Sequence, residues 1–246
     1  MIAVFASEWT KMRSVRSTVM TIVIAALMMI GLGVLFAAVI VGQDQPIPPP
    51  LEGTEFSMSG TTLASLAMAT LGVLVISSEY RTGAIRVSLL SVPQRMRLLS
   101  GKIVVFTTVA LVASAVTTLV TFFASQAILG SATLGDDGVP QVLLGTTLYL
   151  TASGLFGLAL GALVRHTPGA IVAAISMINV VPTLVRMLPG EWGKTVGNHF
   201  TTNAGMEIVR DSPANPLGAW GGFAVYLVWI AVTMVVAAVL LDRRDA

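Results

Sequence analysis

The sequence predicts an all-α membrane protein that crosses the bilayer six times, and three observations support this prediction. The 246 residues are 55% hydrophobic and only 11% charged, whereas soluble domains carry about 25% charged residues. Six stretches without Asp, Glu, Lys or Arg are each long enough to cross about 30 Å of hydrocarbon. The charged residues between the stretches differ in sign on the two sides. We therefore predict one domain over residues 1–246, with spans at about 18–42, 58–77, 103–129, 141–164, 168–188 and 218–241.

The distribution of charge predicts the orientation of these spans. Eleven of the fourteen Lys and Arg residues lie on the side that carries both termini. The exceptions are Arg186, Lys194 and Arg210, and eight of the twelve acidic residues lie with them. Because basic residues mark the cytoplasmic side, both termini are predicted to be cytoplasmic, as an even number of spans requires.

Composition and motifs exclude several classes of function. The net charge of +2 is too small to indicate a nucleic-acid partner, and the absence of Cys excludes disulfide and thiolate chemistry. Neither His166 nor His199 lies where an intramembrane protease would need one, and no pair of nucleophile and base is found, so no catalytic, cofactor-binding or metal residue is predicted. The apolar run 19–41 is longer than the core of a signal peptide and is interpreted as a retained helix.

The sequence also lacks an energy source of its own. No Asp, Glu, Lys or His lies near the centre of a span, which argues against a carrier driven by a proton gradient. The string 190–195, GEWGKT, is similar to a phosphate-binding loop but has two residues between its glycines where four are needed. If ATP drives this protein, we expect another polypeptide to hydrolyse it.

The residues before the first span predict an amphipathic helix on the membrane surface. Ile2, Phe5, Trp9 and Met12 recur at spacings of three and four, which places them on one helical face. Such an apolar stripe with basic neighbours is typical of an interface helix. The alternative is a frayed tail.

The segment between the second and third spans predicts a short cytoplasmic helix. Apolar residues between Arg81 and Val92 share one face, and Pro93 is expected to end the helix. Basic residues at the start of the third span, Lys102 among them, are expected to anchor that span at the lipid headgroups.

Three further patterns lie within or next to the spans. The third span carries a stripe of hydroxyl residues at 114, 117, 121 and 125, which is interpreted either as helix packing or as a surface that faces a substrate. Gly157 and Gly161 indicate close packing within the chain. In the fifth span Pro182 predicts a kink beside the polar Asn179, and the amphipathic stretch 189–219 predicts short helices that dip into the outer leaflet.

These features together resemble a type-2 ABC transporter permease. The resemblance covers the whole chain and rests on the spans and on three strings: SEWTKMRS at 7–14, SEYRTG at 78–83, and Pro93 followed by Arg95 and Lys102. The segment from Glu79 to Lys102 is its most specific part.

The resemblance implies a role for individual residues. The helix around Arg81 and Arg86 would be the coupling helix that docks on an ATPase subunit, and the surface helix would complete this contact. The residues implied are Glu79, Arg81, Arg86 and Leu89 for the ATPase contact, Phe5, Trp9 and Met12 for the interface helix, and Thr70, Asn179 and Pro182 for the substrate pathway. The stretch between the fifth and sixth spans would form re-entrant helices.

The resemblance also implies an assembly and a function. Two permeases, identical or different, would work with two ABC ATPases that bind ATP and Mg in a bacterial cell membrane. The expected function is ATP-driven export of an amphipathic or hydrophobic compound such as a drug, a peptide antibiotic or a lipid. The alternatives are a gradient-driven carrier, a non-transporting membrane anchor, or a polytopic membrane enzyme.

Overall fold

The computed structural model describes residues 7–12, 16–43, 45–82, 95–210 and 215–243, and this part of the chain is helical with short connections. Within these residues, six helices are long and apolar enough to span a membrane, as predicted. They are Ser17–Gly42, Thr61–Tyr80, Leu99–Leu129, Val139–Val164, Thr167–Arg186 and Gly218–Leu240, called the first to sixth spans below. The protein is a multi-pass membrane protein.

Several of these spans belong to longer helices or are joined by short ones. The full helices of the first, second, third and sixth spans are Arg16–Gly42, Thr61–Thr82, Arg95–Leu129 and Gly218–Arg243. A short helix, Pro50–Ser57, precedes the second span. The fifth span consists of Thr167–Ile175, a π-helical turn Ser176–Val180, and Val181–Arg186; it is followed by Gly190–Asn198, Thr201–Gly205 and Glu207–Arg210.

The fourth span is the most buried and packs most extensively against the second. Glycines make this contact possible, because Cβ atoms added at Gly157 and Gly161 would collide with Ala69 and Val73 of the second span. Small residues let helix backbones approach closely where lipid gives no hydrophobic driving force between helices. The glycine pattern is therefore intrachain packing, as predicted.

The hydroxyl stripe of the third span is also used for packing. Ser114, Thr117, Thr121 and Ser125 are all buried within the chain. A Cβ added at Gly33 of the first span would collide with Thr121 and Ser125. Of the two interpretations of this stripe, the structure selects helix packing.

The two ends of the bundle differ. We call the end that carries both chain termini the terminal end, and the opposite end the distal end. At the terminal end, a guanidinium nitrogen of Arg165 donates to the carbonyl of Leu240 at 2.9 Å, and the same guanidinium lies 5.4 Å from the centre of the Tyr80 ring. The connections after the first, third and fifth spans lie at the opposite, distal end. There the Gln126 side chain donates to Ser57 Oγ at 3.2 Å, which holds helix Pro50–Ser57 against the third span.

Candidate functional site

A cluster of four charged side chains lies at the terminal end, where the helix at 7–12 meets the second and third spans. Lys102 Nζ donates to Glu8 Oε2 at 2.5 Å and to Glu79 Oε1 at 2.9 Å. Lys11 Nζ donates to Glu8 Oε1 at 2.7 Å and to Glu79 Oε1 at 3.1 Å. Each lysine therefore bridges both glutamates, and we call these four residues the ionic cluster.

The ionic cluster is mostly buried. Glu8 is 2% exposed, Lys102 4% and Glu79 8%, whereas the Lys11 side chain is more accessible. Two acids and two bases make the cluster neutral, which is the condition under which buried charges are tolerated. One oxygen of Glu79, Oε2, is buried without a hydrogen-bond partner. Within the described residues, this cluster ties three separate chain segments together by charge.

The electrostatics keep Glu8 and Lys11 charged despite their burial. Burial alone would raise the pKa of Glu8, but the charges and hydrogen bonds of Lys102 and Lys11 outweigh burial and lower it. Burial would likewise lower the pKa of Lys11, but hydrogen bonds and charges from Glu8 and Glu79 raise it. Both residues are therefore ionised around neutral pH.

Local helix geometry explains how the sequence builds the cluster. Glu8 and Met12 are one turn apart and both point inward, while Trp9 between them is 50% exposed. Glu8 and Lys11 are spaced by three residues, which brings their side chains together on a helix. Glu79 lies in the last turn of Thr61–Thr82, where the helix dipole disfavours an acid. Helix stability therefore does not explain an acid at position 79, whereas its ion pairs with Lys11 and Lys102 do.

The position of Lys102 differs from the sequence-based expectation. We expected it to anchor the third span at the headgroups, yet it is buried between two glutamates. A Lys near the end of a span can snorkel to water, but here two buried carboxylates accept hydrogen bonds from its ammonium group instead. An acid close to an apolar span, surrounded in sequence by bases, as Glu8 and Glu79 are, is the signal that would have revealed this pairing.

The other residues implied for the ATPase contact are placed only in part. The Glu79 carboxylate lies inside the ionic cluster rather than on the surface. Arg86, Leu89 and Phe5 lie outside the described residues, as does the side chain of Arg81. Of the interface helix, Met12 joins the buried core and Trp9 faces outward. The predicted coupling helix thus falls on residues that the structure does not describe.

Toward the distal end, Pro182 frees a backbone acceptor that another segment uses. Proline has no N–H. At position 182 this donor would serve the Ile178 carbonyl in an α-helix, or the Met177 carbonyl in the register of the π-helical turn, where Val181 N–H donates to the Ser176 carbonyl. Thr202 Oγ1 donates to the Ile178 carbonyl at 2.6 Å, and Thr201 Oγ1 donates to the Met177 carbonyl at 3.0 Å. Asn203 Nδ2 donates to the Pro182 carbonyl at 3.0 Å. The chain therefore folds back along the fifth span to the level of Met177.

Sequence reasoning did not single out this Thr201–Asn203 segment. Three consecutive polar side chains all donate to backbone carbonyls of the fifth span, and all three are buried. On the other side, the Ile208 carbonyl lies directly against Gly145 of the fourth span. A run of hydroxyl and amide donors that follows a proline-containing span was the available signal.

Two of the three residues implied for the substrate pathway lie together. Asn179 and Pro182 line a cavity of about 120 Å³, which is also lined by Thr62, Tyr149 and Arg186. Thr70 does not line this cavity, and its hydroxyl donates to the Leu66 carbonyl of its own helix at 2.8 Å. The structure thus brings together Asn179 and Pro182 of the fifth span, but Thr70 of the second span does not join them.

Most of the chain matches a known family of membrane proteins. Comparison with individually curated proteins gave no match. The model of the family described as ABC-2 family transporter protein matches residues 4–188, which is more than half of the chain. The match includes all four residues of the ionic cluster and the first five spans. The chain therefore belongs to the ABC-2 transporter family and is a membrane subunit of an ABC transporter.

Proposed function

We propose that this chain is the permease of a bacterial ABC exporter, and that the ionic cluster transmits movement of a separate ATPase to the spans. The cluster is the observation that carries the proposal. It fixes the end of the second span, the start of the third and the helix at 7–12 to one another. The coupling segment, residues 81–92 between the two spans, would be the contact for the ATPase, on which ATP and Mg bind.

Glu79 then has a different role from the one implied by the resemblance. Since its carboxylate is bound by Lys11 and Lys102, it positions the coupling segment rather than contacting the ATPase directly. Arg81, Arg86 and Leu89 remain the proposed direct contacts. A push on this segment would move the second and third spans together, because the cluster ties both to one point.

Packing contacts between the spans support transmission from the ionic cluster to the distal end. The second span packs against the fourth through Gly157 and Gly161, and the fourth contacts Ile208 through Gly145. These contacts join the terminal end to the short helices that fold back along the fifth span. Rigid packed helices are a physical route for such coupling.

Orientation, assembly and cargo complete the proposal. The excess of Lys and Arg at the terminal end favours a cytoplasmic location for that end, where ATP is available. Two copies, or one copy and a related permease, would form the pathway, with Asn179 and Pro182 facing it. Apolar spans without central charges favour an amphipathic or hydrophobic cargo, and export follows the family resemblance.

Affinity capture of the tagged chain from its native membranes tests the assembly. We expect an ABC ATPase to co-purify and to be identified by mass spectrometry. The double variant Arg81→Glu with Arg86→Glu is expected to insert normally but to lose this partner and any cargo-stimulated ATP hydrolysis. The matched control reverses the same two charges at Arg243 and Arg244 of the C-terminal tail and should retain both. Full association and transport in the first variant would show that residues 81–92 do not couple the ATPase to the spans.

A further inference from the structure

A second, larger cavity at the distal end has a charge pattern that packing does not explain. It has a volume of about 470 Å³ and shares Arg186, Asn203 and Arg210 with the smaller cavity beside Pro182. Its wall combines three bases, one acid and several amides, of which the principal members are Arg186, Lys194, Asn198, Asn203, Glu207 and Arg210. The two cavities therefore meet at a pair of arginines.

The arginines of this wall are available to a ligand. Lys194 pairs with Glu191 at 2.8 Å, but no carboxylate among the described residues forms an ion pair with Arg186 or Arg210. Arg186 ends the fifth span and Arg210 ends the last short helix, so two separate elements present a guanidinium to one cavity. Guanidinium groups bind carboxylate and phosphate oxygens through paired, charge-assisted hydrogen bonds.

Glu207, the acid of the wall, forms no ion pair with another described residue. Glu207 is 8% exposed, and its Oε2 is buried without a hydrogen-bond donor. It is held against the sixth span, since a Cβ added at Gly222 would lie 3.0 Å from Glu207 Cβ. A buried carboxylate with so few donors is costly, and an ammonium group in the cavity would offset that cost by pairing with the part of Glu207 that lines the wall.

We propose that this cavity binds a zwitterionic headgroup, with its anionic group on Arg186 and Arg210 and its protonated amine on Glu207. A simple anion would leave Glu207 unpaired and would be repelled by it, while a simple cation would be repelled by the two arginines. A ligand that carries both charges a few bonds apart satisfies both halves of the wall. The headgroup could belong to a phospholipid with a primary amine or to a free amino phosphate. This inference rests on the proposed function only where it treats the bound headgroup as part of the cargo. Binding of the headgroup to the cavity does not require the ATPase.

The purified full-length chain in detergent allows a test that needs no variant. Calorimetric titration would compare phosphoethanolamine with inorganic phosphate, ethanolamine and phosphocholine, whose quaternary amine has no N–H. We expect phosphoethanolamine to bind about tenfold more tightly than each of the others, as one charged hydrogen bond gained or lost implies. A second arm uses a short-chain phosphatidylethanolamine. Binding of this lipid alone would identify a lipid headgroup as the source, whereas equal binding of phosphoethanolamine and phosphate, or no binding in either arm, would overturn the proposal.

Two variants assign the halves of the site. Glu207→Gln keeps the shape of the side chain and is expected to abolish the preference for phosphoethanolamine over phosphate, while Arg186→Gln with Arg210→Gln should weaken both ligands. Glu52→Gln, at an exposed distal acid outside the cavity, is the matched control and should change neither. An unchanged preference in Glu207→Gln would refute the amine contact. Because no ATPase is present, these results are independent of whether the chain transports.

Discussion

Replacing Lys102 by Met is the most direct test of the ionic cluster. The substitution keeps the aliphatic stem but removes the ammonium group that bridges Glu8 and Glu79. Both carboxylates remain buried, and only the more accessible Lys11 still pairs with them. Removing one partner of a buried ion pair costs about 3–5 kcal/mol. We therefore expect the free energy of unfolding to fall by an amount in this range.

The size of this effect should depend on pH. Without Lys102, burial is the largest remaining influence on Glu8 and acts to raise its pKa. Glu8 can then take up a proton as pH falls, which removes part of the penalty in the variant. The difference between wild type and Lys102→Met should therefore be largest at neutral or alkaline pH and smaller in mild acid.

The assay is thermal unfolding of the purified chain in detergent, followed by tryptophan fluorescence. A loss of this size corresponds to a fall in the midpoint of about 6–20 °C for a protein of this length. Lys194→Met is the matched control, because Lys194 also forms an ion pair at 2.8 Å but on an exposed surface; it should leave the midpoint unchanged. Adding Glu8→Gln to Lys102→Met removes one of the two carboxylates that Lys11 alone must then neutralise, and should recover part of the stability. An unchanged midpoint in Lys102→Met would refute the reasoning.

Three further predictions concern other parts of the structure. Because the pKa of Glu8 is lowered from its ordinary 4.5, the wild type should lose stability as pH falls from about that value through the folded-state pKa, and Glu8→Gln should flatten this part of a stability–pH curve. Thr202→Val leaves the Ile178 carbonyl without the donor at 2.6 Å and should cost about 1–3 kcal/mol in denaturant unfolding. Gly157→Ala forces a methyl group against the Ala69 backbone and should lower stability by about 1–3 kcal/mol in the same assay.

Each of these predictions has a control within the chain. Glu52→Gln removes an exposed acid and should leave the acid limb of the stability curve as in the wild type. Thr183 is exposed and donates only to its own helix, at the carbonyl of Asn179, so Thr183→Val should be nearly neutral. Gly31 has open space around it, and Gly31→Ala should be neutral or slightly stabilising. Equal losses in a test variant and its control would show that the contact invoked is not responsible.

A proline test would separate the hydrogen bonds of Thr201 and Thr202 from general packing. Pro182→Ala restores a backbone N–H that can donate to the Met177 or the Ile178 carbonyl, the two acceptors of these hydroxyls. We expect the pair Thr201→Val with Thr202→Val to cost less in the Pro182→Ala background than in the wild type, as a double-mutant cycle would measure. Additive losses would mean that the two threonines stabilise the fold through packing rather than through these carbonyls.

The spans were predictable because their signal is local. A helix that crosses lipid must satisfy its backbone internally and must be apolar over about 20 residues, so length and composition suffice to find it. The glycine pair 157 and 161 was predictable for a related reason, since only small residues permit close contact of helices in lipid. The hydroxyl stripe of the third span had two interpretations, and only its neighbours in the fold could decide between them.

The sequence by itself determined that this is a membrane protein with six spans and a strongly basic terminal end, because hydrophobic length and charge are properties of each segment alone. Only the tertiary structure decided that Lys102 pairs with Glu8 and Glu79, residues 94 and 23 positions away along the chain, and that Thr201–Asn203 bind the carbonyls of the fifth span. Electrostatic pairing and hydrogen bonding act over a few ångströms, so they depend on which segments the packing of the spans brings together. That information is not contained in the pattern of any single segment.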